Sequence, residues 1–176
     1  SLDLEILSKL GSKVQAKKHV NPSPLGQRIA VARDIAFEFS YPHHLKAWRM
    51  AGASISFFSP LSDETVPDDA DFIFLPGGYP ELHAGQIASA KTFKSSIRAH
   101  AERQTPIYGE CGGYMVLGDT MIDESGDSHK MLGLLKLETS FADRKLHLGY
   151  RQLSSLGPHF KGPLRGHEFH YARTLS

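Results

Sequence analysis

The chain has 176 residues, 40% hydrophobic and 22% charged, with a formal net charge of +1, which suits one compact domain with a sizeable core. Near-neutral charge leaves no footprint for nucleic acid or an anionic membrane surface, and a single cysteine, Cys111, excludes an internal disulfide and points to a reducing, cytoplasmic setting. No apolar run approaches the roughly 18 residues of a membrane span, and the opening SLDLEILSKL lacks the layout of a signal peptide.

Leu4, Leu7, Leu10 and Val14 recur at roughly helical spacing, so residues Leu2 to Lys18 predict a short amphipathic helix. NPSPLGQ, Asn21 to Gln27, reads as a linker, because two prolines and a glycine interrupt any regular element. Residues 1–27 are therefore expected to be a helix and linker stub, with the domain proper over 28–176. RIAVAR, Arg28 to Arg33, is a short apolar strand, and YPHHLKAWRMAGA, Tyr41 to Ala53, a helix stopped by Gly52. SISFFSP and ADFIFLPGG follow as strands, KTFKSSIRAHAER as a helix and TPIYGE, Thr105 to Glu110, as a fourth strand. Continuous apolar strands alternating with helices predict a parallel sheet covered on both faces. Beyond Met121, KMLGLLKLETSF, KLHLGYRQLSS and LRGHEFHYART contain period-two stretches, as expected of more exposed or antiparallel strands. The expected fold is an α/β three-layer sandwich with antiparallel additions at its C-terminal end.

Cys111 stands in PIYGECGGYMVLG, where the fourth strand stops and a helix can begin. Open α/β sheets place their ligands at this carboxyl edge. A tight strand-to-helix turn holds a nucleophile in strain and leaves no room for neighbouring side chains, which accounts for Gly109, Gly112 and Gly113. A helix N-terminus there is expected to lower the thiol pKa and to offer free N–H groups to an oxyanion. A lone cysteine is more often a small buried hydrophobe, but that role needs no such glycine content.

A cysteine nucleophile needs a base. His43 and His44 fall in the first turns of a predicted helix and His129 and His159 in probable loops, where a solvated side chain is the ordinary reading. RGHEFHY, Arg165 to Tyr171, is denser: on a strand, His167 and Phe169 face one way and Glu168 and His170 the other. Divergent histidines with no second cysteine make a poor zinc site, so no metal is expected and one histidine working alone as base is favoured. LPGGYPELHA, Leu75 to Ala84, ends a strand in Gly77 and Gly78, whose bare N–H groups reach the same sheet edge as Cys111.

LPGGYPE, YGECGGYMVLG and RGHEFHY together resemble the class I, triad-type glutamine amidotransferase domain, with its flavodoxin-like, mainly parallel sheet, in the branch found at the C-terminus of cobyrinic acid a,c-diamide synthases. IAVARDIAFEFSYPHHL, SFFSPLSDE and ETSFADRKLHLGYR extend the resemblance from about Arg28 to the end. It implies that Cys111 attacks the side-chain amide of glutamine, that His170 serves as its base, and that the N–H groups of Gly78 and Gly112 hold the oxyanion. A glutamyl thioester then forms, and water releases glutamate. Ammonia passes to an N-terminal synthetase domain, which uses ATP and magnesium to activate the a and c carboxylates of a corrinoid.

Two departures stand out. Triad-type members carry an acid two residues after the histidine, and Ala172 stands there; Glu168 or a backbone carbonyl is the expected substitute. No G-x-x-x-x-G-K-[ST] phosphate loop occurs, so no cofactor is expected in this domain and amidation needs a partner domain. Three rival readings are a cysteine hydrolase of similar fold, a docking module with a decayed site, and the glutaminase of a related tetrapyrrole amidase, one that amidates nickel-sirohydrochlorin or one that makes cobyric acid by amidating the b, d, e and g positions of the corrin ring.

Overall fold

The computed structural model describes residues 3–11, 23–155 and 162–175. Helix α1 (Leu4–Leu10) is capped by Asp3, whose Oδ1 accepts from the N–H groups of Glu5 and Ile6 at 3.0 and 3.2 Å. The helix stops at Gly11, extended at φ −69 and ψ 118, short of the expected Lys18, and residues 12–22 lie outside the described residues.

Four parallel strands follow: β1 (Arg28–Ala32), β2 (Ser54–Phe58), β3 (Phe72–Leu75) and β4 (Ile107–Gly109), in the order β2-β1-β3-β4. Their alternation sorts the core into two layers. Ile29, Val31, Phe72 and Phe74 pack with Leu45 and Trp48 of α2 (Pro42–Met50) on one face. Ala30, Ala32, Ile73 and Leu75 pack on the other face with Ile87 of α3 (Ala84–Ser89) and with Phe93 and Ile97 of α4 (Lys91–Glu102). Small alanines on β1 let the bulkier helix side chains approach, as close packing requires. The predicted stop of α2 is met: Gly52 adopts φ 97 and its N–H bonds the Arg49 carbonyl.

The C-terminal half runs through α5 (Gly112–Val116), β5 (Thr120–Ile122), β6 (Ser128–Lys130), β7 (Glu138–Ser140), β8 (His147–Ser154), β9 (Pro163–His170) and β10 (Arg173–Thr174). A second sheet has the order β10-β7-β5-β6, with β5 and β7 parallel and the outer pairs antiparallel; β8 and β9 form a separate antiparallel pair.

One expected strand segment is not a strand. Residues 131–137 are irregular, with Met131, Leu132 and Leu137 buried. Two carbonyls there find a side-chain donor instead of a ladder, Arg98 donating from Nε to Leu132 O at 3.0 Å and from Nη2 to Met131 O at 3.4 Å; just ahead of the segment, the buried Lys94 Nζ donates to Lys130 O at 2.8 Å and also to Ala88 O at 3.1 Å. Burial, then Arg98 and Lys130, hold the Lys94 pKa below its ordinary value. The 3-10 turn Pro80–His83 and α3 are also absent from the sequence reading.

His100 on α4 is 1% exposed, with Nδ1 3.2 Å from Thr105 Oγ1. Burial first, and then Arg103, lower its pKa. The unfolded chain therefore binds the proton more readily, and stability present above the unfolded value of about 6.5 is lost as pH falls below it. Urea midpoints between pH 7 and 5 are expected to fall more steeply for the native protein than for His100→Gln, by at most about 1.4 kcal/mol per pH unit; parallel slopes would contradict this.

Candidate active site

Strand β4 is held to its end by the Glu110 N–H, which donates to the Leu75 carbonyl at 3.0 Å. The next residue, Cys111, takes φ 50 and ψ −115, and α5 starts directly after it. Such a conformation costs a non-glycine residue of the order of 1–3 kcal/mol and persists only where its surroundings fix it. Here backbone meets backbone. A Cβ on Gly113 would overlap the Leu75 carbonyl oxygen, and one on Gly78 the Ala36 carbonyl oxygen. At Gly109 it would meet the Gly113 backbone at 2.8 Å, and at Gly112 the Pro80 ring at 2.6 Å. The glycines flanking Cys111 are thus required by close approach, as the sequence implied.

The backbone N–H groups of Gly112 and Gly78 lie near the Cys111 sulfur and favour its thiolate. They do not prevail. Burial pushes the thiol above its ordinary value, with Glu110 and Glu81 adding to the rise. The lowered thiol pKa expected from the sequence is therefore not found. The helix that was to supply the favourable field is only five residues long, and two carboxylates stand near its start. Tyr41 donates from its hydroxyl to Glu110 Oε1 at 2.8 Å, and this bond is the largest cause raising Tyr41 to about 12.

His170 ends β9, and both its ring nitrogens are engaged. Nδ1 lies 3.0 Å from the Ala172 carbonyl oxygen, and Nε2 lies 3.0 Å from Glu168 Oε1. A carbonyl and an ionised carboxylate both only accept, so each ring nitrogen donates a hydrogen in this arrangement, and Nε2 can take a proton from another group only after releasing the one it shares with Glu168. Both expected substitutes for the missing acid at 172 thus touch the ring, one on each nitrogen. Glu168 is drawn below the usual carboxylate range by its hydrogen bond to His170 and then by Arg151, with which it forms an ion pair.

His147 is the residue the sequence reading missed. It pairs with His170 across the hairpin, and the two rings stack with centroids 4.7 Å apart and planes 12° from parallel. The signal was the β8–β9 register, which requires knowing that the strands pair. His167 stacks parallel to Phe169 and tilts against Tyr150 on the other face of β9, yet both it and Phe169 still border the cavity that holds Cys111 and His170. His147, Glu168 and His170 form a donor set of metal-ligand type. Its carboxylate is committed to Arg151 and His170, and the neighbouring cleft carries Arg144, Lys145 and Arg173, all of which work against a cation. Of the other histidines, His43 and His44 lie on α2, His129 pairs with Asp123 at 2.7 Å on β6 rather than in a loop, and His159 falls outside the described residues.

Cys111 and His170 line one cavity of about 370 Å³ together with Glu110, Thr139, Glu168 and Ala172. Phe39 and Phe169 stand at its wall, both partly exposed. The cavity brings together a thiol, two backbone N–H groups near it and an imidazole, the components of acyl transfer from an amide or ester. Among the described residues, no helix is long and apolar enough to cross a membrane.

Residues 28–176 match the family model of the CobB/CobQ-like glutamine amidotransferase domain. The hydrogenobyrinate a,c-diamide synthase of Brucella anthropi is 61% identical over 153 residues, which are 86% of this chain and 35% of that protein. The protein of that name from Rhodobacter capsulatus is 54% identical over 156 residues, 86% of this chain and 36% of that one. The chain thus spans about a third of the length of these curated relatives. Among solved structures, PurLQS from Thermotoga maritima superimposes with a TM-score of 0.56 at 21% identity, covering 86% of this chain and 70% of that one. A crystal structure of a glutamine amidotransferase gives a TM-score of 0.51 at 15% identity, covering 80% and 70%. These two likenesses show the fold alone.

Because Cys111 is the only cysteine, its titration can be read directly. Iodoacetamide alkylation is expected to rise along a pH curve centred above the ordinary thiol value, and Glu110→Gln to shift that curve downward. A midpoint at or below roughly 8.5 would show that the N–H groups outweigh burial.

Proposed function

This chain belongs to the CobB/CobQ-like glutamine amidotransferase family, and on that premise we propose that it hydrolyses glutamine through a thioester on Cys111 and supplies ammonia to an amide-forming synthetase. The observation that carries this is the convergence of the Gly78 and Gly112 N–H groups on the sulfur of a residue at φ 50, in a cavity it shares with His170.

The raised thiol pKa dictates the order of events. The resting thiol is protonated at neutral pH, so proton loss accompanies attack, with Nε2 of His170 as acceptor. For this Nε2 first releases to solvent the hydrogen it donates to Glu168 and turns to the thiol, while the Ala172 carbonyl keeps the ring in its tautomer through Nδ1. Sulfur bonds to the carboxamide carbon, and the oxyanion takes the N–H groups of Gly78 and Gly112. The intermediate collapses by breaking the C–N bond as His170 returns its proton to the departing nitrogen, releasing ammonia. Water then adds to the thioester, His170 takes and returns a proton again, and glutamate leaves with the thiol restored.

The relatives' names support an acceptor of the hydrogenobyrinate type, amidated at its a and c carboxylates, within cobalamin biosynthesis. Their greater length supports a separate synthetase region, to which residues 1–27 would lead. ATP and magnesium belong there on this reading, because residues 28–176 contain no phosphate loop. The reducing cytoplasm suits an unpaired catalytic thiol.

Mass spectrometry after treatment with a diazo-ketone analogue of glutamine tests the reading. One equivalent is expected on Cys111, glutamine should protect it, and His170→Ala should slow labelling by about 10²-fold or more. Glu168→Ala is expected to stay within about tenfold of the native rate, since the Ala172 carbonyl still orients the ring. Labelling that glutamine does not suppress would favour a cysteine hydrolase of another specificity.

A further inference from the structure

Thr139 is the central residue of β7, flanked by Met121 of β5 on one side and Thr174 of β10 on the other. It is 2% exposed, and its hydroxyl has no hydrogen-bond partner among the described residues. A buried hydroxyl normally finds a partner, because leaving one unmade forfeits its hydration without return. Thr139 also lines the cavity that holds Cys111 and His170. Glu168 Oε2 is the other buried side-chain atom of that cavity without a hydrogen bond, and it already carries the Arg151 ion pair. Thr139 is left as the buried uncharged polar side chain of this cavity with no partner among the described residues.

Register fixes which end of the cavity this is. Thr174 stands directly opposite Thr139, two residues from Ala172, whose carbonyl holds His170 Nδ1. Thr139 thus belongs to the His170 side of the cavity, whereas the Gly78 and Gly112 N–H groups serve the sulfur from the Cys111 side. A carboxamide has two polar ends. Its oxygen is the group that two N–H donors suit, and its NH₂ is a pure donor that needs an acceptor. A hydroxyl supplies one.

Resting on the glutaminase reading above, we propose that the Thr139 hydroxyl accepts a hydrogen bond from the carboxamide nitrogen of the substrate. It holds the leaving nitrogen toward His170, and holds the ammonia once the C–N bond breaks. No additional reactant is required. Thr139 exchanges no proton; it orients the nitrogen that receives one from His170.

The test compares Thr139→Val and Thr139→Ser with the native protein on glutamine and on glutamate γ-methyl ester, alongside thermal unfolding. The ester forms the same thioester, but its leaving oxygen has no N–H to donate. Thr139→Val is expected to lower kcat/KM for glutamine by about ten- to a hundredfold, to leave the ester within a fewfold, and to hold or raise Tm, since an unpaired buried hydroxyl is replaced by a methyl. Thr139→Ser should restore glutamine turnover. Equal losses on both substrates, or a lowered Tm with Ser failing to rescue, would assign Thr139 a packing role and overturn the proposal. So would unchanged glutamine turnover in Thr139→Val. A native protein that turns over the ester but not glutamine, or neither, overturns the glutaminase reading itself and this inference with it.

Discussion

The fold turns on the place where α5 lies against the end of β3 with nothing but backbone between them. Gly113 sits so close to the Leu75 carbonyl that no side chain fits. That contact fixes how far the chain can advance past β4 before it turns, and so where Cys111 stands. The same economy recurs at Gly78 against Ala36, which brings a second loop within reach of the sulfur. The geometry around the thiol is thus set by peptide groups, which are stiffer than side chains and far less adjustable.

Electrostatics at the elbow pull in opposite directions. Two N–H groups favour negative charge on sulfur, while burial and the carboxylates of Glu110 and Glu81 disfavour it. A site balanced this way keeps its nucleophile protonated and less open to oxidation or alkylation until a base engages it. The elbow is built for an oxyanion that forms transiently, rather than for a resting thiolate.

Much of this was legible in the sequence because its signals are local. Continuous apolar runs in β1 and β3 announced a sheet covered on both faces, Gly52 marked the end of α2, and the glycines around Cys111 announced the elbow. Local signals fail where partners are remote. Residues 131–137 look strand-like until Arg98 is seen to take the carbonyls of Met131 and Leu132. Proline and glycine in PELHAGQ hid a 3-10 turn and α3, and His147 acquires meaning only through its register with His170. The sign of the thiol shift depended on how the terms sum in three dimensions, which no spacing rule supplies.

The hydrogen bond from His170 Nδ1 to the Ala172 carbonyl has a consequence for how such a site varies. An orienting carboxylate can be deleted by one codon change, but every amino acid carries a carbonyl. Position 172 is therefore free to drift among small buried residues while the ring stays aimed, provided the short connection from β9 to β10 keeps its path. Alanine scanning is blind to a group of this kind. It would be exposed by weakening the acceptor itself, with a backbone ester in place of the amide between residues 172 and 173.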